Sequence, residues 1–306
     1  MNKVTVSAPG KLMLLGEHAV VYGQPCLVTA VDQRLFVEIG ETGDGKVTIK
    51  APESTDTRFV EEAIGCGVST WKIKHQGLRI KTTSPFSGKY GFGSSAAVTV
   101  ATLAALASLF HQEVDKRSLF ELAYQVILSI QTVGSGFDVA AAVYGGTLFF
   151  TKGGTTLAPI SINDLPLVVG YTGVKSNTVE IVKQVAAKRE KYPEKVDRIF
   201  EATGKLVIDG KKALEASDWE RVGKLMDFNQ EYLRDLGVSS EKLEVMISAA
   251  KTGGAWGAKL SGAGGGDCMI ALAGSDKREV IRKAIEAAGG QVIDVRPNAE
   301  GVRVET

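Results

Sequence analysis

The sequence predicts an α+β protein, and three patterns carry that prediction. Strand-like alternation dominates the first forty residues, at Val4 and Val6 and again over Leu27–Ile39. A run of Ala, Leu and Val over Ser94–Phe110 is typical of a buried helix. The last fifty residues alternate short strands with one helix. Because β-rich and helix-rich stretches are separate, the pattern favours α+β over a regular βαβ series.

The remaining elements follow from local signals. Pro9 and Gly10 are expected to end the first strand and to place Lys11 in a loop. Further strands are predicted over Val47–Ile49, Gly77–Thr83, Thr147–Thr151, Ala258–Leu260, Cys268–Leu272 and Gln291–Arg296. Further helices are predicted over Phe59–Ile64, after a Ser118/Glu121 capping box, over Asp138–Val143 and over Lys277–Ala288. From residue 177 onward the chain is expected to be mostly helical, with breaks at Pro193, Gly210, Gly237 and Gly253–Gly254. The turn at Gly153–Gly154 favours an N-terminal domain of residues 1–154 and a C-terminal domain of residues 155–306.

Composition narrows the class of protein. Among 306 residues, 36 Lys and Arg nearly balance 35 Asp and Glu, so the net charge of +1 argues against nucleic acid or an anionic membrane as partner. The longest weakly polar stretch, Ala96–Phe110, is too short for the ~20 residues that span a bilayer. No signal-peptide pattern precedes the first strand. The three cysteines lie far apart, which argues against a zinc site. We therefore expect a cytoplasmic protein that acts on a small molecule.

A glycine-rich run, Gly91–Ala96, stands directly before the long apolar helix. Glycines let the backbone approach a phosphate, and the helix N-terminus attracts one. Ser94 and Ser95 add hydroxyl groups, and Ser95 could ligate Mg²⁺ on a triphosphate. The same run matches G-x-G-x-x-A of dinucleotide-binding folds, but Ser84–Tyr90 separates it from the preceding strand. A capped glycine turn with no ligand is the remaining alternative.

A kinase also needs a carboxylate for the acceptor hydroxyl and cations for the transferred phosphoryl group. Asp138 is the best carboxylate, because it follows the glycine turn Gly134–Gly136 at the start of a helix. Lys11 is the best cation, after Pro9 and Gly10. Taken alone, each has a plain alternative: Asp138 as a helix N-cap and Lys11 as a solvated loop residue.

Three segments together are far more specific than any one of them. PGKLMLLGEHAVVYG (Pro9–Gly23), GFGSSAA (Gly91–Ala97) and KLSGAGGGDC (Lys259–Cys268) resemble, in this order, the three signature motifs of the GHMP small-molecule kinases. The resemblance covers essentially the whole chain. It implies the GHMP kinase fold: an N-terminal domain like domain 2 of ribosomal protein S5, a ferredoxin-like C-terminal domain, and an active site between them.

The resemblance also implies cofactors and residue roles, which it transfers motif by motif. ATP and Mg²⁺ are the implied cofactors, Asp138 is the implied base or orienting carboxylate, and Lys11 is its implied cationic partner. The implied nucleotide-binding residues are Lys89, Tyr90, Gly91, Phe92, Gly93, Ser94, Ser95 and Ala96, with Ser95 also on Mg²⁺. The residues implied at the substrate are Glu17, His18, Gly264 and Gly265.

The motifs resemble two kinds of kinase that differ in their acceptor. GEHAVVYG and YTGVKSNTVEIV (Tyr171–Val182) are similar to mevalonate kinases, which implies mevalonate as acceptor. Lys89, GSGFDVA (Gly134–Ala140) and GGGDC look more like phosphomevalonate kinases, so 5-phosphomevalonate is the alternative. Ile127 stands where mevalonate kinases usually have a Mg²⁺-binding Glu, with Gln125 and Glu121 as the nearest polar residues on that helix. Two alternatives lie outside this class: an NAD-linked oxidoreductase and a non-catalytic nucleotide-binding regulator. The sequence is also compatible with a homodimer.

Overall fold

The structure, a computed structural model, describes residues 3–53, 56–84, 90–162 and 164–305. Within these ranges the chain forms two sheets with helices packed against them. Strands of the larger sheet are β1 (Lys3–Leu15), β2 (Cys26–Glu41), β3 (Val47–Lys50), β4 (Leu78–Thr83), β5 (Thr147–Phe150), β6 (Leu157–Ile160) and β11 (Arg303–Glu305). Strands of the smaller sheet are β7 (Leu167–Tyr171), β8 (Gly257–Ser261), β9 (Cys268–Leu272) and β10 (Gln291–Ile293). The α+β prediction is confirmed.

The larger sheet is built on two long antiparallel strands, β1 and β2. Its order is β11-β1-β2-β4-β3, and β5 pairs with the start of β2 and with β6. The predicted end of the first strand at Pro9 and Gly10 is wrong. A register shift between these two residues interrupts the pairing with β2, and the strand then continues to Leu15. Such a bulge accommodates a proline, which has no N–H to donate to the ladder. Lys11 is therefore held in a strand.

The helices of the first half are α1 (Arg58–Trp71), α2 (Ser94–Leu109), α3 (Lys116–Gln131) and α4 (Phe137–Tyr144). Helices α2 and α4 pack on the larger sheet, and α1 and α3 pack on α2. Helix α2 packs on β1 and β2, and its small apolar side chains are buried on most sides, as expected for a helix inside a core. The predicted capping box is wrong. Asp115 is the N-cap of α3, because its carboxylate accepts the backbone N–H of Ser118 at 2.9 Å, while Glu121 pairs with Arg117.

The smaller sheet is antiparallel, in the order β10-β7-β9-β8. The helices of this half are α5 (Thr178–Lys191), α6 (Pro193–Glu215), α7 (Trp219–Leu236), α8 (Glu241–Thr252) and α9 (Arg278–Ala287). Three of the four predicted breaks coincide with helix ends, but Gly210 lies inside α6. The lack of a side chain there gives room to Leu15 of β1, which explains a glycine within a helix. Among the described residues, no helix is long and apolar enough to cross a membrane.

The chain returns to the larger sheet at its end. Strand β11 pairs antiparallel with β1, with Val304 opposite Val6. Strand β6 also lies in the larger sheet, although it follows Gly153–Gly154. The division of the chain at residue 154 stays a prediction, and two strands beyond that point belong to the sheet of the first half.

Candidate active site

A cavity of about 350 Å³ lies between elements of the two halves. The first half contributes β1, the segment after it, the start of α2 and the α3–α4 turn. The second half contributes the start of α5 and the loop between β8 and β9. Of the predicted site residues, those that line the cavity are Lys11, Glu17, His18, Gly91, Gly93, Ser94, Ser95 and Asp138. The structure therefore brings all three sequence motifs to one place.

The glycine-rich run forms an open helix N-terminus. Gly91 and Gly93 have φ of 72° and 77°, in the left-handed region that favours glycine. Gly93 is the N-cap of α2, and no side chain caps the helix there. Ser94 and Ser95 follow in the first turn and face the cavity. The uncapped N–H groups and the helix dipole together make this wall suitable for phosphate.

Three other residues predicted in this run do not line the cavity. The Phe92 side chain is buried in the core, and its carbonyl accepts the backbone N–H of Lys11 at 2.9 Å. The Tyr90 ring packs edge-on against Tyr171, with ring centroids 5.0 Å apart. Ala96 is buried beneath the first turn of α2. These residues hold the run in place, while Lys89 lies outside the described residues.

Lys11 and Asp138 both lie close to Gly93 of the glycine-rich run. Lys11 is buried, and its ammonium group donates to the Gly91 carbonyl at 2.9 Å. Asp138 is the second residue of α4, whose N-cap is Gly136. The N-cap interpretation of Asp138 is therefore wrong. Loss of hydration raises the pKa of Asp138, and the nearby Lys11 charge opposes that rise. Burial lowers the pKa of Lys11, and Asp138 opposes that change.

Glu17 is held by a residue that sequence reasoning missed. It forms a buried ion pair with Lys259 of β8, which also donates to the Leu260 carbonyl. The other carboxylate oxygen, Oε2, has no hydrogen-bond partner within the described part of the chain. Burial raises the pKa of Glu17 and lowers that of Lys259, and each charge opposes the shift of the other. A buried lysine in a strand is the signal that could have indicated the pair, since such a residue needs a counter-charge.

His18 contacts the loop of the third motif on the side of the cavity formed by the second half. The His18 Nε2 atom lies 2.8 Å from the Ala263 carbonyl, and Ala263 with Gly262 lines the cavity. Gly264 and Gly265 do not line it. An added Cβ would meet Val238 at Gly264 and Ile181 at Gly265. These two glycines therefore allow the loop to pack closely against Val238 and Ile181, away from the cavity.

The α3–α4 wall offers few metal ligands. Ile127 lines the cavity with an aliphatic side chain, whereas neither Gln125 nor Glu121 lines it. Ser135, which was not predicted, is buried at this wall, and its hydroxyl has no hydrogen-bond partner among the residues described. A polar substrate atom could satisfy that hydroxyl.

The second half adds cavity residues that the sequence analysis did not name individually, although all but Lys183 lie within the quoted stretches Tyr171–Val182 and Lys259–Cys268. Those that line the cavity include Lys175, Ser176, Thr178, Lys183 and Asp267. The two lysines and the hydroxyl residues belong to the segment around the start of α5. Asp267 belongs to the third motif, immediately before β9. The cavity therefore combines a phosphate-type helix terminus with cations and carboxylates, as a phosphoryl-transfer site requires.

Such a fold and site define an ATP-dependent small-molecule kinase. The family model "GHMP kinases N terminal domain" matches residues 58–146, and "GHMP kinases C terminal" matches residues 211–291. The chain belongs to the GHMP kinase family. The predicted fold and kinase class are thereby confirmed, and the oxidoreductase alternative is wrong.

Individual relatives extend the comparison over nearly the whole chain. The mevalonate kinase of Pyrococcus furiosus is 37% identical over 332 aligned residues, covering 99% of this chain and 98% of that protein. The structure of L. major mevalonate kinase in complex with R-mevalonate matches with a TM-score of 0.83 and 27% identity, covering 98% of this chain and 96% of that chain. Streptococcus pneumoniae phosphomevalonate kinase in complex with phosphomevalonate and AMPPNP matches with a TM-score of 0.83 and 19% identity, covering 97% and 100%. The last likeness shows the fold alone.

Proposed function

We propose that this kinase transfers the γ-phosphoryl group of ATP to the primary hydroxyl of mevalonate, giving 5-phosphomevalonate. The observation that carries the proposal is the convergence of Lys11 and Asp138 at the uncapped N-terminus of α2, inside one cavity. Full-length similarity to proteins named mevalonate kinase supports mevalonate as acceptor.

In this proposal the triphosphate lies along Gly91–Ser95. The positive φ values of Gly91 and Gly93 turn the backbone toward the cavity, and the α2 dipole adds positive potential. An added Cβ at Gly93 would lie 3.2 Å from Cε of Lys11 and 3.6 Å from Cβ of Asp138. The phosphate wall and the two reactive side chains are therefore adjacent.

Asp138 orients the acceptor hydroxyl and accepts its proton as the phosphoryl group moves. Loss of hydration raises the pKa of this carboxyl, which makes the carboxylate a better base. The Lys11 charge keeps the group ionised and offsets the negative charge that develops on the transferred phosphoryl group. A positioned acid or base of this kind typically contributes ~10²- to 10⁴-fold in rate.

The residues present fit a Mg²⁺ ion that arrives with the nucleotide. Within the described ranges no three His, Cys, Asp or Glu residues are grouped as a metal cage. Mg²⁺ usually takes one or two protein carboxylates with phosphate oxygens and water, so a cage is not required. The Ser95 hydroxyl, which faces the cavity beside the phosphate wall, is proposed as one ligand. When bound, the ion would neutralise charge on the phosphates.

The acceptor occupies the part of the cavity near Glu17, His18 and Ser135. The unpartnered Oε2 of Glu17 can accept a hydrogen bond from a hydroxyl group of a small polar acid, and the unpartnered Ser135 hydroxyl can donate to its carboxylate. Lys175 and Lys183 supply positive charge at the α5 side. This charge is also compatible with a phosphorylated acceptor, so 5-phosphomevalonate is the necessary comparison.

The test is ADP release with R-mevalonate and with 5-phosphomevalonate, each with MgATP, and the product identified by phosphorus NMR. We expect turnover with R-mevalonate and a product phosphorylated at the primary hydroxyl. Turnover with 5-phosphomevalonate alone would overturn the assignment of the acceptor. ATP binding without ADP release for either acceptor would favour the regulator alternative.

A further inference from the structure

Asp267 is a cavity carboxylate that the proposed reaction has not yet used. It lies at the end of the loop between β8 and β9, and its backbone is held on both sides. Its N–H donates to the Val174 carbonyl at 2.8 Å, and its carbonyl accepts the N–H of Thr172 at 2.9 Å. The side-chain Oδ1 accepts the N–H of Ser176 at 2.9 Å. The carboxylate is therefore fixed in direction before any ligand binds.

The second oxygen of this carboxylate reaches the phosphate wall. An ideal Cβ at Gly91 would lie 2.5 Å from Oδ2 of Asp267, so only glycine leaves room for this approach. The neighbouring Cys268 thiol donates to the Tyr90 carbonyl at 3.2 Å, which attaches the same loop to the residue before Gly91. The third motif thus contacts the second motif directly, with a carboxylate oxygen at the point of contact.

The charges around Asp267 favour an additional cation there when ATP binds. The Lys11 ammonium group, bound to the Gly91 carbonyl, interacts electrostatically with both Asp138 and Asp267. Asp267 also interacts with Lys175, so two lysines offset two carboxylates before the negative charges of a triphosphate enter. Bringing a triphosphate beside a carboxylate is unfavourable in a partly desolvated cavity. A divalent cation shared by Asp267 and the phosphates removes that repulsion.

The other cavity carboxylates have different partners. Glu17 is committed to its buried ion pair with Lys259, and Asp138 is the residue next to the acceptor in the proposed reaction. On the α3 wall, Ile127 presents only carbon atoms. Among the described residues that line the cavity, Asp267 is the carboxylate left for a metal.

We propose that Asp267 is the carboxylate ligand of the divalent cation that enters with ATP, acting together with the Ser95 hydroxyl. This inference rests on the proposed use of Mg²⁺ with ATP and does not depend on which acceptor is phosphorylated. Carboxylate and hydroxyl oxygens are the ligand types that Mg²⁺ prefers.

The test uses Asp267→Asn in the full chain. Asn keeps an oxygen for the Ser176 N–H and tolerates the positive φ of 56° at this position, but it removes the negative charge. Mn²⁺ affinity of the enzyme–ATP complex is measured by electron paramagnetic resonance without acceptor. ATP affinity is measured by calorimetry with Mg²⁺ and with EDTA. Asp276→Asn, an exposed carboxylate change in the same half of the chain, is the matched control.

We expect Asp267→Asn to weaken Mn²⁺ binding about tenfold or more. ATP affinity in EDTA should stay equal or increase, because one negative charge has left the phosphate wall. The control should match the wild type in all three measurements. Equal losses of ATP affinity with Mg²⁺ and with EDTA would show a purely structural role, and unchanged Mn²⁺ affinity would also overturn the inference.

A second variant covers the case in which Asp267→Asn does not fold. Asp267→Gly removes the carboxylate, and glycine adopts positive φ without strain. Like Asp267→Asn, it should weaken Mn²⁺ binding while ATP affinity in EDTA stays equal or increases. If the wild type fails to phosphorylate mevalonate but the Asp267 variants behave as expected, the acceptor is wrong and the metal inference stands. If the wild type phosphorylates mevalonate but the Asp267 variants bind Mn²⁺ as tightly as the wild type, the acceptor assignment stands and the metal inference is wrong.

Discussion

Glu17 and Lys259 form an ion pair that joins the segment after β1 to β8 of the second sheet, with both side chains at most 1% exposed. The two residues are 242 positions apart in the sequence, one in the first motif and one in the third. The pair attaches the two halves of the protein beside the cavity, where Glu17 is proposed to contact the acceptor.

Removing one partner of this pair should be strongly destabilising. Lys259→Met leaves the Glu17 charge buried without a counter-charge, and we expect the free energy of unfolding to fall by about 3–5 kcal/mol in urea titrations. The double variant Glu17→Gln/Lys259→Met should recover part of the loss. Lys3→Met, which breaks the exposed pair with Glu38, should cost less than about 1 kcal/mol. A similar small loss for Lys259→Met would contradict the inferred importance of the pair.

Asp138→Asn should lower kcat at least ~10²-fold and leave ATP affinity nearly unchanged, because the amide keeps the shape but cannot accept the acceptor proton. Steady-state ADP release and calorimetry measure the two quantities. The control is Asp115→Asn, since Asp115 is a true N-cap at α3 and Asn caps about as well. A well-folded Asp138→Asn protein with normal kcat would remove Asp138 from the proposed mechanism.

Gly93→Ala should weaken ATP binding by about tenfold or more while mevalonate binding is retained. The new Cβ would lie 3.2 Å from Lys11 at the phosphate wall, and the φ of 77° disfavours alanine. Gly43→Ala has nearly the same φ, 76°, with no atom within 4 Å of the added Cβ, so it isolates the backbone effect. Calorimetry with ATP compares them. Equal behaviour of the two variants would mean that Gly93 serves only the turn.

Acid should destabilise the folded protein through His18. Burial lowers the pKa of His18 below the ~6.5 of an unfolded chain, with the Ala263 hydrogen bond opposing this shift. The unfolded state then binds the proton first as the pH falls. The contribution of His18 to stability is therefore present above about pH 6.5 and is lost as the pH falls toward the folded-state pKa.

Urea titrations at several pH values between about 7.5 and 5.5 test this dependence. The wild type should lose stability more steeply than His18→Asn, by up to ~1.4 kcal/mol per pH unit. His111→Asn is the control, because His111 is exposed and also has positive φ, 51° against 59° at His18. This control should keep the steep dependence. Parallel curves for the wild type and His18→Asn would show that another group is responsible.

Two glycine-to-alanine changes inside helices should have opposite signs. At Gly65 in α1 nothing lies within 4 Å of an added Cβ, so Gly65→Ala should stabilise by about 0.5–1 kcal/mol through helix propensity. At Gly210 in α6 the Cβ would lie 2.5 Å from Leu15 of β1, so Gly210→Ala should destabilise by about 1–3 kcal/mol. Thermal unfolding measures both. Stabilisation by Gly210→Ala would mean that α6 can move away from β1.

Local signals were sufficient for much of this protein. The glycine run before an apolar helix predicted the open N-terminus of α2, because positive φ and helix initiation depend on a few adjacent residues. The three motifs together predicted the family. The alternation of apolar residues predicted most strands, since the side-chain period of a strand is local.

The tertiary structure decided which of these residues meet. Lys11 lies in β1 because pairing with β2 continues beyond a bulge, and this continuation depends on distant residues. Gly210 lies inside α6 because packing against β1 requires its small size. Asp267 reaches Gly91, and Lys259 reaches Glu17, only because the two halves pack against each other around the cavity. Burial and the pairing of distant charges depend on that long-range packing, so no short sequence pattern could have specified them.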